Sequence, residues 1–408
     1  MRGVITLFAL LLSIALVGCP DKGTTPGEKT ELRRIGWMGD NFFPSEDAIG
    51  DSGASPQTIK YVDGHLIMQD SYHKGGRAYR IFTRKIGEPD WDSLINPFGI
   101  GAFSIGWSVD SEYVYLGAID APRAIKYKVE SKEWRELPIT LSGPIQTRKG
   151  LFSALDSPYS IPTVFRVKDS LLITVGAYGN AENLAKPAVN LWGSLAGGTW
   201  SGQPDSLAEV DNIADIQDYH GNIYAASYSN GVWRLGANRM WERLPPPDYI
   251  IWQGDSTPFV RPRAIEVVND RMYVSFLGGS VFRYDDVTNS WTDVAKCDSG
   301  YVCYPKPNDN MALTQYKGRL IASGMTVPVP VWYNDTTGVW TWLSYETWMR
   351  AFPTSDYYGP TYDMAVAGDT LYVAHENGIV KLNLADPAVW TADTTDATTI
   401  EVPINQGK

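Results

Sequence analysis

The chain has 408 residues, of which 44% are hydrophobic and 20% charged, and its formal net charge is −11 at pH 7. This composition supplies enough apolar material for a large core. An acidic chain is poorly suited to neutralising phosphates, which excludes nucleic acid as a partner. Its charges are interspersed rather than grouped in blocks, so we interpret the acidity as a source of solubility.

The amino terminus has the pattern of a secretory signal. Arg2 precedes an apolar run from Val4 to Leu16, and small residues follow at a cleavage point. The run is too short for a spanning helix, which needs about 20 apolar residues. Its end, Leu16-Val17-Gly18-Cys19, resembles the lipobox of bacterial lipoproteins. The resemblance implies lipidation (palmitate) at Cys19, a membrane as partner through that anchor, and an extracytoplasmic body in the cell envelope, with the outer membrane favoured over the inner.

Three domains follow from this interpretation. Residues 1–18 are the predicted signal peptide, and residues 19–31, polar and rich in structure breakers, are the lipidated terminus with a flexible tether. Residues 32–408 are predicted to form one domain.

A repeat runs through that domain. Two-residue turns lie between β-rich runs, and their first residues are 47, 59, 51, 49, 48 and 51 positions apart. The turns are Asp63-Gly64, Asp110-Ser111, Asp169-Ser170, His220-Gly221, Asn269-Asp270, Lys317-Gly318 and Gly368-Asp369. Four strands recurring about every fifty residues predict an all-β fold, a seven-bladed β-propeller with four antiparallel strands per blade.

The fifth repeat carries a resemblance to a known family. It contains Leu277-Gly278-Gly279 and then a stretch from Phe282 to Trp291, with an aromatic in the third strand and a tryptophan in the fourth. This resembles a kelch repeat. Other repeats keep a single glycine of the pair, at Gly117, Gly176 and Gly324, so the likeness is to a degenerate kelch-like propeller.

One tryptophan recurs in each repeat, and we expect it to open the fourth strand and fill the gap between neighbouring sheets. These residues are Trp91, Trp134, Trp200, Trp241, Trp291, Trp340 and Trp390. Two segments are candidates for the outer strand that closes the ring. Leu32–Trp37 and Thr398–Ile404 both fit, and the sequence does not choose between them.

The long connections fall on one face of the predicted propeller. In an antiparallel blade, the loops between the second and third strands and the crossovers between repeats lie at one end, here named the crossover face. The two-residue turns lie at the opposite end, named the turn face. The long segments are Gln69–Arg77, Ile139–Pro162, Tyr178–Pro187, Pro245–Pro262, Lys296–Asn310 and Ser344–Pro360. Long excursions on a rigid scaffold are a common place for function.

Aromatic residues are concentrated in two of these crossovers, where flat rings suit sugar stacking or a protein hot spot. His375 and Glu376 follow a second strand toward the same face. The predicted ligand-binding residues are Tyr249, Trp252, Trp348, Arg350, Tyr357, Tyr358, His375 and Glu376. Packing of the loops onto the blades is the alternative role for each aromatic.

Cys297 and Cys303 lie close together in a loop-like segment, and outside the cytosol they are predicted to form a disulfide. No metal site and no cofactor are predicted. Asp211, Asp215 and Asp218 resemble a possible Ca²⁺ set, but they follow a strand, so we interpret them as a solvated strand edge.

The sequence therefore favours a cell-envelope lipoprotein with a monomeric body, which binds or scaffolds a protein or a glycan through the crossover face. The alternative is a lipid-anchored carbohydrate-active enzyme, a hydrolase, lyase or epimerase. No catalytic residue is assigned and an enzyme is the less favoured class. A pair of carboxylates in an axial pocket would favour the enzyme, and a broad aromatic surface would favour binding.

Overall fold

The computed structural model describes most of the strands and short turns of the chain. The described residues are 33–35, 56–73, 77–88, 91–94, 106–118, 121–141, 144–147, 150–153, 159–168, 170–177, 189–194, 198–200, 213–227, 231–236, 241–247, 250–252, 255–257, 261–276, 280–295, 302–303, 310–324, 329–343, 360–375, 378–390 and 401–402. Residues 1–30, which include the predicted signal peptide and Cys19, lie outside them.

The first half of the chain contains sixteen strands. They are β1 (Arg33–Ile35), β2 (Pro56–Val62), β3 (His65–His73), β4 (Arg77–Lys85), β5 (Asp92–Leu94), β6 (Gly106–Val109), β7 (Tyr113–Ala118), β8 (Ala121–Lys128), β9 (Glu133–Glu136), β10 (Ile139–Leu141), β11 (Pro144–Thr147), β12 (Gly150–Ser153), β13 (Tyr159–Val167), β14 (Ser170–Ala177), β15 (Val189–Ser194) and β16 (Gly198–Trp200).

The second half continues the pattern to β35, with one 3₁₀ turn at Pro387–Trp390. The strands are β17 (Ile213–Tyr219), β18 (Asn222–Ser227), β19 (Gly231–Leu235), β20 (Trp241–Arg243), β21 (Ile250–Trp252), β22 (Asp255–Thr257), β23 (Pro262–Val268), β24 (Arg271–Phe276), β25 (Val281–Asp285), β26 (Ser290–Asp293), β27 (Val302–Cys303), β28 (Asn310–Tyr316), β29 (Arg319–Gly324), β30 (Val331–Asn334), β31 (Val339–Trp342), β32 (Thr361–Ala367), β33 (Thr370–His375), β34 (Gly378–Asn383) and β35 (Glu401–Val402).

The described strands form an all-β fold arranged as a β-propeller. Antiparallel four-stranded sheets recur along the chain as β2–β5, β17–β20, β23–β26, β28–β31 and β32–β34 with β1. The predicted two-residue turns connect first and second strands in these blades. Asp63-Gly64, His220-Gly221 and Lys317-Gly318 have positive φ at both residues, the conformation that tight hairpins require.

The prediction of seven separate four-stranded blades is wrong. Five blades are separate sheets, whereas the second and third repeats share one seven-stranded sheet in the order β15-β14-β13-β6-β7-β8-β9. The third repeat therefore contributes three strands, and β6 and β13 join the two repeats as a parallel pair. β7 also pairs with β13, through Ala118 and Ile161, and Gly117 permits that close approach, because a Cβ added there would lie 1.9 Å from the carbonyl oxygen of Ile161.

The amino-terminal segment supplies the outer strand of the last blade. β1 pairs antiparallel with β34, with Arg34 opposite Val380. The other candidate segment contains β35, which pairs instead with β27 in the crossover between the fifth and sixth repeats. The first and last blades are thus joined through a strand from the start of the chain.

Hydrophobic clusters of the described residues lie between consecutive repeats and also between the last repeat and the first. For example, Met68 of β3 and Phe82 of β4 pack with Tyr372 and Ala374 of β33. Trp91, Trp134, Trp241, Trp291, Trp340 and Trp390 pack in or against such clusters, which confirms their predicted structural role.

Two tryptophans do not open a fourth strand as predicted. Trp390 ends the 3₁₀ turn, because β1 occupies the outer position of the last blade. Trp200 lies in β16, which pairs with β10 rather than with β15. The predicted long loop Gln69–Arg77 is also wrong, since β3 runs to His73, which pairs with Arg77 at the start of β4.

Candidate functional site

The crossovers carry strands that the four-stranded repeat does not need. Within Ile139–Pro162, β11 and β12 form a hairpin, and β10 pairs with β16. Within Pro245–Pro262, β21 and β22 form a second hairpin. In Lys296–Asn310, β27 pairs with β35. Because consecutive strands of a blade are antiparallel, these additions belong to the crossover face.

The turn face is held together by polar contacts between neighbouring repeats. Lys168 Nζ lies 2.7 Å from Asp218 Oδ2, and Lys317 Nζ lies 2.9 Å from Asp369 Oδ1. Arg166 pairs with Asp110, and Asn269 donates a hydrogen bond to the carbonyl oxygen of Gly318 at 2.7 Å. These contacts give the turn-face residues a structural role.

His220 belongs to this structural set. Its Nδ1 lies 2.7 Å from Asp286 Oδ2 and its Nε2 lies 2.9 Å from Asp270 Oδ1. Its ring stacks on Tyr219 with 4.0 Å between centroids. The hydrogen bonds to Asp286 and Asp270 raise the pKa of His220 above its ordinary value, since both carboxylates favour the imidazolium.

Of the predicted ligand-binding residues, the structure describes two. Trp252 ends β21 and stands opposite Asp255, so it lies at the tip of the β21–β22 hairpin. His375 ends β33, is fully buried, and is paired with Thr361 and Gly378. The others lie outside the described residues: Tyr249, Trp348, Arg350, Tyr357, Tyr358 and Glu376. Cys297 also lies outside them, so its disulfide with Cys303 stays a prediction.

A cavity of about 440 Å³ runs between the innermost strands. Residues of β2, β6, β13, β17, β23, β28 and β32 line it, which means that each repeat contributes its first strand. Four charged side chains there form what we call the axial cluster: Lys60, Asp215, Glu266 and Asp363.

Asp215 and Asp363 link neighbouring innermost strands. Asp215 follows a β-bulge in β17 and accepts hydrogen bonds from the N–H groups of Ile216 at 2.8 Å and Ile265 at 2.7 Å. Asp363 follows the same bulge in β32 and accepts from Met364 at 2.9 Å and Ile59 at 3.0 Å. The two aspartates therefore satisfy backbone donors at two equivalent joints of the ring.

Lys60 is paired with one of these aspartates. Its Nζ lies 2.9 Å from Asp363 Oδ2, and about a third of the lysine side chain is exposed. Burial works against the lysine charge, but the carboxylates of Asp363, Asp215 and Glu266 outweigh it, so that the pKa of Lys60 is raised above its ordinary value.

Glu266 is the carboxyl group that the blade architecture does not explain. It lies two residues after Ala264, which follows the β-bulge of β23. Counted from the same bulge, the equivalent residues are Lys60 in β2, Gln217 in β17, Thr314 in β28 and Ala365 in β32. Loss of water and the charge of Asp215 raise the pKa of Glu266 to about 8. Loss of water also raises the pKa of Asp215, to about 6, against the effect of its two backbone donors.

No family model matches this chain, and no curated protein matches it. Among solved structures, the extracellular domain of a putative one-component system from B. thetaiotaomicron is similar, with 12% identity and a TM-score of 0.50 over 84% of this chain. The chain spans 39% of that protein's length. A catalytically inactive virginiamycin B lyase from Staphylococcus aureus is similar at 13% identity, with a TM-score of 0.49 over 82% of this chain and 97% of the lyase. At these identities the likeness concerns the fold.

Two further observations concern the described residues. They contain no group of three His, Cys, Asp or Glu side chains placed to hold a metal ion. They also contain no helix that is long and apolar enough to span a membrane.

Sequence reasoning missed the axial cluster. It interpreted Asp215 as part of a solvated strand edge, whereas the structure places it in the cavity, and it did not select Lys60, Glu266 or Asp363. The first strands of the seven repeats can be aligned on the two-residue turns that follow them. Such an alignment would have shown charged residues at positions where other repeats have Thr or Ala.

Proposed function

We propose that the protein is a binding or scaffolding β-propeller of the bacterial cell envelope, which recognises a protein or a glycan through its crossover face. The carrying observation is the unequal construction of the two faces. The crossovers contain the added strands β10–β12, β21, β22 and β27, while the turn face is occupied by contacts between repeats. Binding residues commonly lie on such additions to a rigid scaffold.

The proposal includes a ring of seven repeats of degenerate kelch-like type. The joined sheet β6–β9 with β13–β15 then counts as two blades that share a parallel strand pair. Support comes from the axial cavity, which is lined by the first strand of every repeat. The apolar clusters between consecutive repeats support it as well, because they include the joint between the last and the first.

The proposal also includes a lipid anchor at Cys19, based on Leu16-Val17-Gly18-Cys19. The change Cys19→Ala should leave the precursor without lipid. Metabolic labelling with palmitate tests this, with the unchanged chain as control. Equal labelling of the variant would contradict the anchor.

The binding site is tested with two aromatic changes. If Trp252 and Trp348 are ligand anchors, each change to alanine should weaken binding by about 2 kcal/mol or more, with little effect on folding. The full-length protein would be screened on a glycan array and by co-sedimentation with cell envelopes from its organism, before and after protease treatment of those envelopes. Loss of binding after protease treatment identifies a protein ligand, and retention identifies a glycan.

The matched control is Trp134→Ala. Trp134 packs against the cluster between the first and second repeats, with its ring centroid 4.2 Å from that of Tyr127, away from the two crossovers that carry Trp252 and Trp348. This change should lower thermal stability and leave affinity unaltered. If the Trp252 and Trp348 variants instead lose stability at unchanged affinity, these residues are structural and the proposed site is wrong.

A second function, a carbohydrate-active enzyme, is favoured by one observation. Asp215 and Glu266 are carboxyl groups in an axial cavity, with pKa values of about 6 and about 8. In an enzyme, such a difference would suit Asp215 to act as the base and Glu266 as the acid. Asp215 is, however, occupied by two backbone donors, as Asp363 is at the equivalent joint. The enzyme predicts release of reducing sugar from envelope polysaccharide that Glu266→Gln abolishes, and binding without turnover would exclude it.

A further inference from the structure

The charges of the axial cluster are unevenly paired across the cavity. Lys60 forms its ion pair with Asp363. Among the described residues, Asp215 accepts hydrogen bonds from backbone N–H groups, and Glu266 accepts one from its own neighbour, Val267, at 3.2 Å from Oε1. Neither of these two carboxyl groups has a cationic side chain as an ion-pair partner in that part of the chain.

Other charged or titratable groups line the cavity or lie beside Glu266. Arg166 pairs with Asp110, and Arg263 and Tyr362 are each engaged in an interaction. Tyr273, which stands beside Glu266 across the β23–β24 pair, donates its hydroxyl proton to Asp335 Oδ1 at 3.0 Å. The charge of Lys60 favours the ionised forms of both Asp215 and Glu266, but its ammonium group is paired with Asp363, so three carboxyl groups of the axial cluster share one lysine.

The shape and lining of the cavity indicate the kind of cation. Its volume of about 440 Å³ far exceeds that of a bare ion, since one water occupies about 30 Å³. Thr58, Gln217 and Thr314 line it beside the charged groups and can form hydrogen bonds with a polar organic ligand. A divalent ion is less suited, because the described residues offer no set of three ligands.

We propose that the axial cavity binds an organic cation, a small ligand with a primary ammonium group that lies between the carboxyl groups of Asp215 and Glu266. The ammonium group donates hydrogen bonds to both carboxylates, because each oxygen of Asp215 accepts one backbone N–H group and keeps a second lone pair. This site is independent of the crossover face, so either proposal can fail without the other.

Binding should release a proton. Below pH 8 the carboxyl group of Glu266 is protonated in the empty cavity. The positive charge of a bound ammonium group favours the ionised carboxylate, so the proton of Glu266 leaves when the ligand binds. Affinity should therefore rise with pH from 6 to 8.5, by about tenfold or more, until Glu266 is fully ionised.

The test uses 1,4-diaminobutane as probe and butane-1,4-diol as its uncharged counterpart, with calorimetry on the full-length protein. We expect saturable binding of the diamine, tighter at pH 8.5 than at pH 6, and no binding of the diol. Titrations in two buffers with different ionisation enthalpies report the released proton. These measurements need no variant, so they remain decisive if a substitution impairs folding.

Glu266→Gln should weaken diamine binding at pH 8.5 at least tenfold and remove both the pH dependence and the proton release. Glu242→Gln is the matched control, because Glu242 is exposed and paired with Arg234 outside the cavity. Equal binding of the diol, unchanged binding by Glu266→Gln, or no saturable binding would overturn the proposal. Tighter binding of calcium chloride than of the diamine would also overturn it, in favour of a metal site.

Discussion

Deletion of Tyr362–Lys408 should give aggregated protein. The truncation removes most of β32 and all of β33 and β34, and with them fully buried residues such as Leu371, Val373 and Val380. Each such side chain contributes about 1.5–3 kcal/mol on burial. The loss of several is comparable with the whole net stability of a domain, about 5–15 kcal/mol.

The truncation also exposes the apolar surfaces that the last blade covers on both neighbours. Ile321 and Leu343 of the sixth repeat, and Ile59 and Met68 of the first, belong to clusters shared with it. Size-exclusion chromatography and circular dichroism measure the outcome. A soluble fragment with intact β-sheet ellipticity would contradict a cooperative ring.

Asp363→Ala should cost about 3 kcal/mol of unfolding free energy. The change removes the ion-pair partner of Lys60, and because about a third of the lysine side chain is exposed, this part of the loss is on the order of 1 kcal/mol. It also leaves the N–H groups of Ile59 and Met364 without their acceptor. Chemical denaturation at pH 7 measures the loss.

Asp215→Ala is the matched control for that experiment. It removes an equivalent pair of backbone hydrogen bonds but no lysine ion pair, so we expect a smaller loss of about 1–3 kcal/mol. Adding Lys60→Met to Asp363→Ala should recover part of the stability, because the unpaired charge is then absent. Equal stability of the Asp363 variant and the unchanged protein would show that the pair is not structurally important.

Local sequence signals predicted the blade hairpins well. The first and second strands meet at a tight turn in the repeats whose turn residues the structure describes, and Asp63-Gly64 and His220-Gly221 adopt positive φ angles there. The strands after these turns begin at or near the predicted residues, as β3 does at His65 and β18 at Asn222. These features depend on neighbouring residues, which is why the sequence reveals them.

Features set by contacts between repeats could not be predicted. The pairing of β7 with β13 depends on a backbone approach at Gly117, and one glycine has many possible roles in a sequence. The choice of β1 as closing strand depends on its pairing with β34, which lies at the other end of the chain. The axial cluster was missed for the same reason, because Lys60 and Asp363 are distant in sequence and meet only through ring closure.

The central claim, that ligands bind at the crossover face, is tested most directly by hydrogen–deuterium exchange of the full-length protein with the ligand found by the array or co-sedimentation screen. We predict protection of peptides from Pro245–Pro262 and Ser344–Pro360, with unchanged exchange at the turn-face residues Asp63, His220 and Lys317. Protection confined to the turn face, with no change in those two crossovers, would contradict the claim.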